Sequence, residues 1–544
     1  MVYSNPDVIE RICGNNGEDE PNDFMWASDN HNDESSIQKF YQGTTVFVTG
    51  GSGFMGMALI EKLLRTCTGI KKLFLLMRPN KEKSVGERTA EMFQNHLFYP
   101  LLERYPQILA KVKIVSGDIE LPNLGISSSD AEMLKREVDI VFHVAATVRF
   151  DEALRKAYHV NVVSLKTILG MAESMTHLKA FVHVSTAFCH THRGFTHIKE
   201  QFYTSPYTED EVEAILNSAD DYTIACLSRL LLGELPTTYI LTKVIGEEII
   251  RQKIGKLPIA VYRPGIVIQT YDEPLRGWTC TLQGAGALFV GLGLGILRVM
   301  NLKSDKIADI IPVDKCACAM VALPWYIEAQ RKKTDEAPPI FHHITSSITY
   351  WEACSYAKSA SEIKNLVSKF QVWVIHVGIV ENKFIYGIRT FFQHVVPLPF
   401  LALAEKLQNQ PPRLCKVYRK MAYLSDQLNV FHKCNWIFED KNIQKLWACM
   451  SASDRRHFRL NVEDLDWYYY FWPMSEAYGY YILKENTENF EDLRRARIKL
   501  KRMQKADFVI RYSAKGLMLY IVYKVGILLF DLLRNLLSNQ INRF

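Results

Sequence analysis

The stretch that most constrains this chain is Val46-Phe47-Val48-Thr49-Gly50-Gly51-Ser52-Gly53-Phe54-Met55-Gly56. An apolar run leads into glycines spaced three apart, and from Met57 to Leu64 the apolar residues fall at helical spacing. That order predicts a buried strand, a tight turn and a helix. In such a turn the first glycine permits the reversal, the second lets backbone approach a pyrophosphate, and the third lets helix and strand pack closely. The residues expected against a dinucleotide are Thr49, Gly50, Gly53, Phe54, Met55 and Gly56, with the phosphates at the helix N-terminus.

At 544 residues the chain exceeds one compact core, which implies two or three domains. Its formal charge of +6 is small for this length and gives no reason to expect a nucleic-acid partner. The charge is unevenly placed: nine Asp/Glu and one Arg precede Lys39, whereas residues 494–505 hold seven Lys/Arg and no acid. Residues 1–38 read as a disordered acidic segment, without the basic and apolar regions of a secretory signal. Eleven cysteines lack metal-ligand spacing, so reduced thiols and no metal are expected.

Strands continue at regular intervals. Lys72 to Met77 is followed by Arg78, placed where an Arg pairs with a ribose 2′-phosphate and so points to NADPH; a solvated strand-end Arg is the alternative. Val112 to Ser116 leads to Asp118 and Ile119 at the adenine end, where Asp118 bonds the adenine amino group or closes an ordinary turn. Ile140 to Ala146 brings Ala145 and Ala146, small enough to lie against the cofactor, and His143 in this run reads as a hydrogen-bonded core histidine. A helix over 151–175 precedes Ala180 to Ala187, whose strand ends in the adjacent hydroxyls Ser185 and Thr186. This alternation predicts an α/β fold with a Rossmann-like, doubly wound parallel sheet that binds ligands off the strands' carboxyl ends.

Tyr239 and Lys243 stand four apart, one helical turn on the same face. A Tyr hydroxyl titrates near 10, too high for acid-base work at neutrality, unless a neighbouring cation favours the phenolate. The pair follows the glycine turn and the hydroxyl-ended strand, and precedes Ile259 to Val267 with its Arg263-Pro264 loop, where Pro264 and Ile266 are expected on the cofactor.

With these pieces in this order the chain resembles an extended short-chain dehydrogenase/reductase, and within that group the alcohol-forming fatty acyl-CoA reductases. The resemblance is carried by Thr49 to Gly56, LLMRP at 75–79, GDIELPNLG at 117–125, VFHVAATVRFDE at 141–152, HVSTA at 183–187, Tyr239 with Lys243, Arg263-Pro264 and DIIPVD at 309–314. It implies hydride transfer from NADPH to the thioester carbon of a long-chain acyl-CoA, then aldehyde, then a second hydride to the alcohol. Tyr239 would donate the proton, Lys243 bind the ribose, and Thr186 or Ser185 polarise the carbonyl, with Thr186 favoured. The alternatives are a sterol or sugar-nucleotide reductase, against which VRFDE and the second domain weigh, and a silent cofactor-binding scaffold. Gly265 stands where the family more often has Ser.

Domain boundaries are expected at 39–344 for the catalytic part, 345–490 for a helical C-terminal domain and 491–544 for a basic segment and tail. Residues 284–300, glycine-rich and apolar, read as part of the acyl-binding side, being short for a span. The aromatic residues from Trp436 to Trp467 read as core. Residues 390–404, interrupted by His394, Pro397 and Pro399, form one apolar run, and 516–530, interrupted by Lys524, forms a second. The second follows the basic segment and predicts membrane association through the tail, with the catalytic body in the cytosol at the endoplasmic reticulum or, alternatively, the peroxisome. An amphipathic core helix is the competing account of that run.

Overall fold

The computed structural model describes residues 35–541 apart from 80–81, 195, 335–338, 365–366, 408–412, 429–430, 432–434 and 486–489. The acidic residues 1–34 lie outside the described residues. Ser36–Tyr41 is a helix with a capping box at Ser35 and Ile37 fully buried, so the folded chain starts ahead of the expected boundary at 39.

The main strands are β1 (Thr45–Thr49), β2 (Lys72–Met77), β3 (Val112–Ser116), β4 (Ile140–His143) and β5 (Ala180–Val184). After β6 (His197–Ile198) come β7 (Ile259–Pro264), β8 (Ile266–Ile268), β9 (Val299–Met300), β10 (Ile310–Pro312) and β11 (Ile340–His343), then β12 (Gly378–Ile379) and β13 (Ile437–Phe438). Seven of them form one parallel sheet in the order β11-β7-β5-β4-β1-β2-β3. Parallel strands are covered on both faces and therefore need near-continuous apolar runs. Phe47, Phe74, Val141, Phe181 and Val261 pack into one hydrophobic cluster. Their neighbours Val46, Val48, Leu75, Phe142 and Tyr262 pack into a second on the opposite face, the period-2 alternation of a pleated strand. Burying each such side chain is worth about 1.5–3 kcal/mol.

The helix Phe54–Thr66 carries charge into this interior. Lys62 Nζ lies 2.8 Å from Glu273, Arg65 pairs with Glu61 at 2.7 Å and with Glu273 at 2.9 Å, and Lys62 also donates to the His457 carbonyl. The two cations and two carboxylates balance one another, which is the condition for keeping them buried.

Residues 436–481 return to the catalytic body instead of forming a core of their own. β13 pairs with β6, the Asp454 carboxylate accepts from Ser36 Oγ and Ile37 N, and His343 Nε2 meets the Leu460 carbonyl at 2.9 Å. Phe438, Phe458 and Leu460 are buried as the aromatic pattern predicts, while Ile437 is exposed. Residues 284–300 contain the helix Gly284–Gly293, whose Ala287, Leu288 and Leu292 are buried. The basic segment and the tail form one continuous helix, Phe490–Ile541. Within it, Glu491–Asp531 is long and apolar enough to cross a membrane, and its apolar stretch packs against nothing in the fold, which weighs against the core-helix account.

Candidate active site

The glycine cradle closes where β1 meets the helix Phe54–Thr66. Gly50 has φ +74°, and a Cβ there would come within 2.5 Å of the Ala145 nitrogen. A Cβ on Gly56 would stand 2.1 Å from the Gly50 carbonyl, so the helix rests directly on the turn. Gly53 is the N-cap and no side-chain hydrogen bond caps the helix, which leaves first-turn N–H groups at Phe54, Met55 and Gly56 for an anion. These features fit a dinucleotide pyrophosphate. The Phe54 ring stacks on Trp278 at 5.4 Å and fixes the helix start. Thr49 lies beneath the cradle: its hydroxyl is 2.8 Å from His143 Nδ1 and its carbonyl accepts from Val144 N. The Thr49 side chain is thus spent on His143, and His143 is the bonded core histidine its apolar surroundings predict. β4 ends at His143, so Ala145 and Ala146 belong to the loop that faces the glycines.

Just past the carboxyl end of β2, the exposed Arg78 guanidinium donates to Glu120 at 3.0 Å and lies 3.9 Å from Asp118. Arg88 donates to the Arg78 carbonyl, bringing a second guanidinium to this corner. Asp118 closes its own turn by accepting from Glu120 N at 3.0 Å, with partly buried Ile119 between them.

The helix Thr238–Arg251 is capped by Thr237 and presents Tyr239, Lys243 and Glu247 at successive turns. Lys243 Nζ donates to the Val184 carbonyl at 2.7 Å, which pins it to the end of β5, and stands 6.0 Å from the Tyr239 ring centre. Burial pushes the Lys243 ammonium down to about 8, with Glu247 and Cys189 acting in the opposite direction. Burial also holds the Tyr239 hydroxyl above its ordinary range, opposed by its hydrogen bond with Thr186, so this Tyr is a protonated group at neutral pH. The neighbouring hydroxyl is engaged elsewhere: Ser185 Oγ donates to Glu247 at 2.6 Å. The structure therefore brings together Tyr239, Lys243 and Thr186, and sets Ser185 one layer back.

Glu247, which the sequence reading missed, organises that layer. It accepts from Ser185, from Cys189 Sγ at 3.2 Å and from Arg263 Nε at 2.9 Å, and meets His190 Nε2 at 3.0 Å. Burial raises its pKa, and Arg263 and His190 together pull it further the other way, to well below the carboxylate range. Cys189, His190 and Glu247 have ligand atoms within 4.8 Å, the arrangement of a metal site, but the Arg263 guanidinium already neutralises the carboxylate. Its signal in the sequence is the i+4 continuation of Tyr239 and Lys243.

Asn161 was also missed. The helix predicted over 151–175 starts at Leu154 and is broken by a π-turn at His159–Val163. There Asn161 accepts from Thr147 N at 2.8 Å and donates to the Thr147 carbonyl and to Thr242 Oγ1 at 2.9 Å, tying the loop after β4 to the Tyr–Lys helix. A lone Asn among valines was the available clue. On the far side Pro264 ends β7, and Ile266 N donates to the Asp309 carbonyl at 2.8 Å. A Cβ on Gly265 would stand 2.3 Å from that same carbonyl, which accounts for glycine there.

A parallel sheet with a glycine cradle after its first strand and a Tyr–Lys helix against the end of its fifth defines an oxidoreductase of the short-chain dehydrogenase/reductase type, using a nicotinamide cofactor. Two family models described as male sterility protein match, an NAD-binding one over residues 48–320 and a second over 393–485. The chain is 33% identical over 494 residues to fatty acyl-CoA reductase wat of Drosophila melanogaster, covering 91% of this chain and 94% of that protein. It is 28% identical over 504 residues to human fatty acyl-CoA reductase 1, covering 92% and 95%. Among solved structures, the reductase domain of a Mycobacterium tuberculosis non-ribosomal peptide synthetase shares the fold, with TM-score 0.53, 17% identity and coverage of 88% and 96%. The chain belongs to the fatty acyl-CoA reductase family.

Proposed function

We propose that this protein reduces long-chain or very-long-chain fatty acyl-CoA to the primary alcohol with NADPH, through an aldehyde, supplying alcohol for wax or ether lipids. The observation that carries this reading is Lys243, pinned by its hydrogen bond to the Val184 carbonyl at the end of β5, with Tyr239 one turn before it on the same helix and the hydroxyl of Thr186 two residues beyond Val184. A bound nicotinamide would supply hydride twice: to the thioester carbon, whose hemithioacetal then breaks its C–S bond and releases CoA as the thiol to leave the aldehyde, and next to the aldehyde carbon. Tyr239, kept protonated by burial, donates a proton to the carbonyl oxygen in each reduction. Thr186 hydrogen-bonds that oxygen and fixes its distance from Tyr239. Lys243, held by the Val184 carbonyl, keeps positive charge near the phenol and binds the ribose. Glu247 and Asn161 are positioning residues that hold the β5 end and the Tyr–Lys helix.

NADPH rather than NADH is supported by Arg78 and Arg88 at the adenosine corner, where a 2′-phosphate would draw Arg78 from Glu120. The terminal helix supports attachment to a membrane with the catalytic body on the cytosolic side, at the endoplasmic reticulum or the peroxisome. Initial rates with each cofactor test the assignment. Arg78→Ala is expected to raise KM for NADPH about tenfold, the worth of one charge-assisted hydrogen bond, and to leave KM for NADH unchanged. Equal wild-type efficiency with both cofactors, or no effect of the substitution, overturns the NADPH assignment.

A further inference from the structure

A second apolar surface lies outside both the site and the tail. The helix Lys383–Thr390, the π-turn Phe391–Val395 and the helix Leu398–Leu407 turn their large side chains to solvent: Phe384 is 77%, Phe392 64% and Phe400 69% exposed, joined by Ile388, Phe391 and Leu403. Contiguous exposed apolar area of this kind marks a protein or membrane contact.

The surface is held in place from below. His394, one of the residues that interrupt the apolar run, is buried, accepts from Arg298 N at 2.9 Å and packs its ring on Tyr418 at 5.0 Å. Asn382 caps the first helix through Phe384 N and Ile385 N, and Asn301 holds the preceding turn through the Val380 and Glu381 carbonyls. The exposed phenylalanines are thus fixed outward by polar anchors.

Two observations identify the occupant. The terminal helix leaves the body beside this surface: Trp373 Nε1 donates to Asp507 at 2.8 Å, and Arg511, paired with Asp507 at 2.7 Å, reaches His376 at 3.4 Å. Arg298, whose N–H donates to His394 beneath the exposed surface, also sets its guanidinium 5.8 Å from the ring centre of Trp373, the residue that holds Asp507, so the helical pair and the base of the tail share one anchor. Residues 383–420 carry seven Lys/Arg and a single acid, Glu405, a balance that suits an anionic leaflet.

We propose that the helical pair over 383–407 lies in the cytosolic interface of the bilayer that the tail enters, giving the protein a second, in-plane membrane contact; this rests on the membrane reading of the tail. Phe384, Phe392 and Phe400 would sit among the upper acyl chains, with Lys383, Arg389 and Lys406 at the phosphates.

The full-length protein is placed in vesicles of phosphatidylcholine with phosphatidylserine, carrying an environment-sensitive fluorescent amino acid at Phe392, Leu519 or Tyr222. Lipids with nitroxides at shallow and deep chain positions serve as quenchers. The expected result is a blue-shifted probe at 392, quenched chiefly by the label about 5–10 Å below the headgroups. The probe at 519 is expected to be quenched by the deep label, and that at 222 by neither. Quenching at 519 without quenching at 392 overturns this proposal and leaves the tail reading standing; no quenching at 519 overturns the tail reading itself. Energy transfer between 392 probes on different molecules, with no lipid quenching, assigns the surface to a second copy and also overturns the proposal.

Discussion

Two hydroxyls end β5 side by side, and their partners separate their roles. Ser185 donates a hydrogen bond to Glu247, inside a buried network that Arg263 and His190 complete, whereas Thr186 accepts from Phe188 N and keeps its own proton for the Tyr239 side. Thr186→Val is expected to lower kcat about 100-fold with little change in melting temperature, the loss typical of one donor to a developing oxyanion. Ser185→Ala should do the reverse, leaving kcat within a few-fold and costing about 1–2 kcal/mol of stability as Glu247 loses a buried donor. Steady-state kinetics and thermal melts of the two variants decide between the hydroxyls. Lys243 gives a second prediction. Burial brings its ammonium down to about 8, and a lysine is charged below its pKa, so the cation is present at neutral pH and is lost as pH rises through 8. In the free enzyme kcat/KM should therefore fall on the alkaline side with a midpoint near 8, and a pH profile of Lys243→Met should lack that limb at a lower plateau.

At the scale of elements, what was legible in the sequence was what is local in the chain. Three glycines after an apolar strand announced the cradle, and the Tyr239–Lys243 spacing announced a shared helix face, because both depend on contacts within a few residues. Three features depended on distant partners and were not legible. Asn161 sits in a π-turn whose meaning comes from Thr147 and Thr242, and Glu247 matters through Ser185 and Arg263. The return of residues 436–481 onto the body is set by Asp454 with Ser36 and by β13 with β6, pairings hundreds of positions apart. Boundaries shifted for simpler reasons. β4 stops at His143 because the next residues face the glycines, and the basic and apolar parts of the tail merge because no glycine or proline in 490–541 breaks the helix, Gly516 and Gly526 being tolerated within it.

Across the whole molecule, the two hydrophobic clusters each combine residues from the catalytic part with residues from the C-terminal part, so the molecule behaves as one body with a helix projecting from it. Residues 345–490 are therefore joined to the reaction chamber's scaffold and not attached beside it. A substrate with a soluble CoA head and a lipid tail would suit a reductase carrying a projecting apolar helix of this kind. The central claim is that one site delivers hydride twice to one acyl carbon, with Tyr239 as the proton donor. Its most direct test is mass spectrometry of the product formed from long-chain acyl-CoA and NADPH deuterated at the transferred position of the nicotinamide. The account predicts primary alcohol carrying two deuteriums on C1, formed by the wild type and lost in Tyr239→Phe. Aldehyde with one deuterium as the sole product, or undiminished alcohol from the Tyr239→Phe variant, would contradict it.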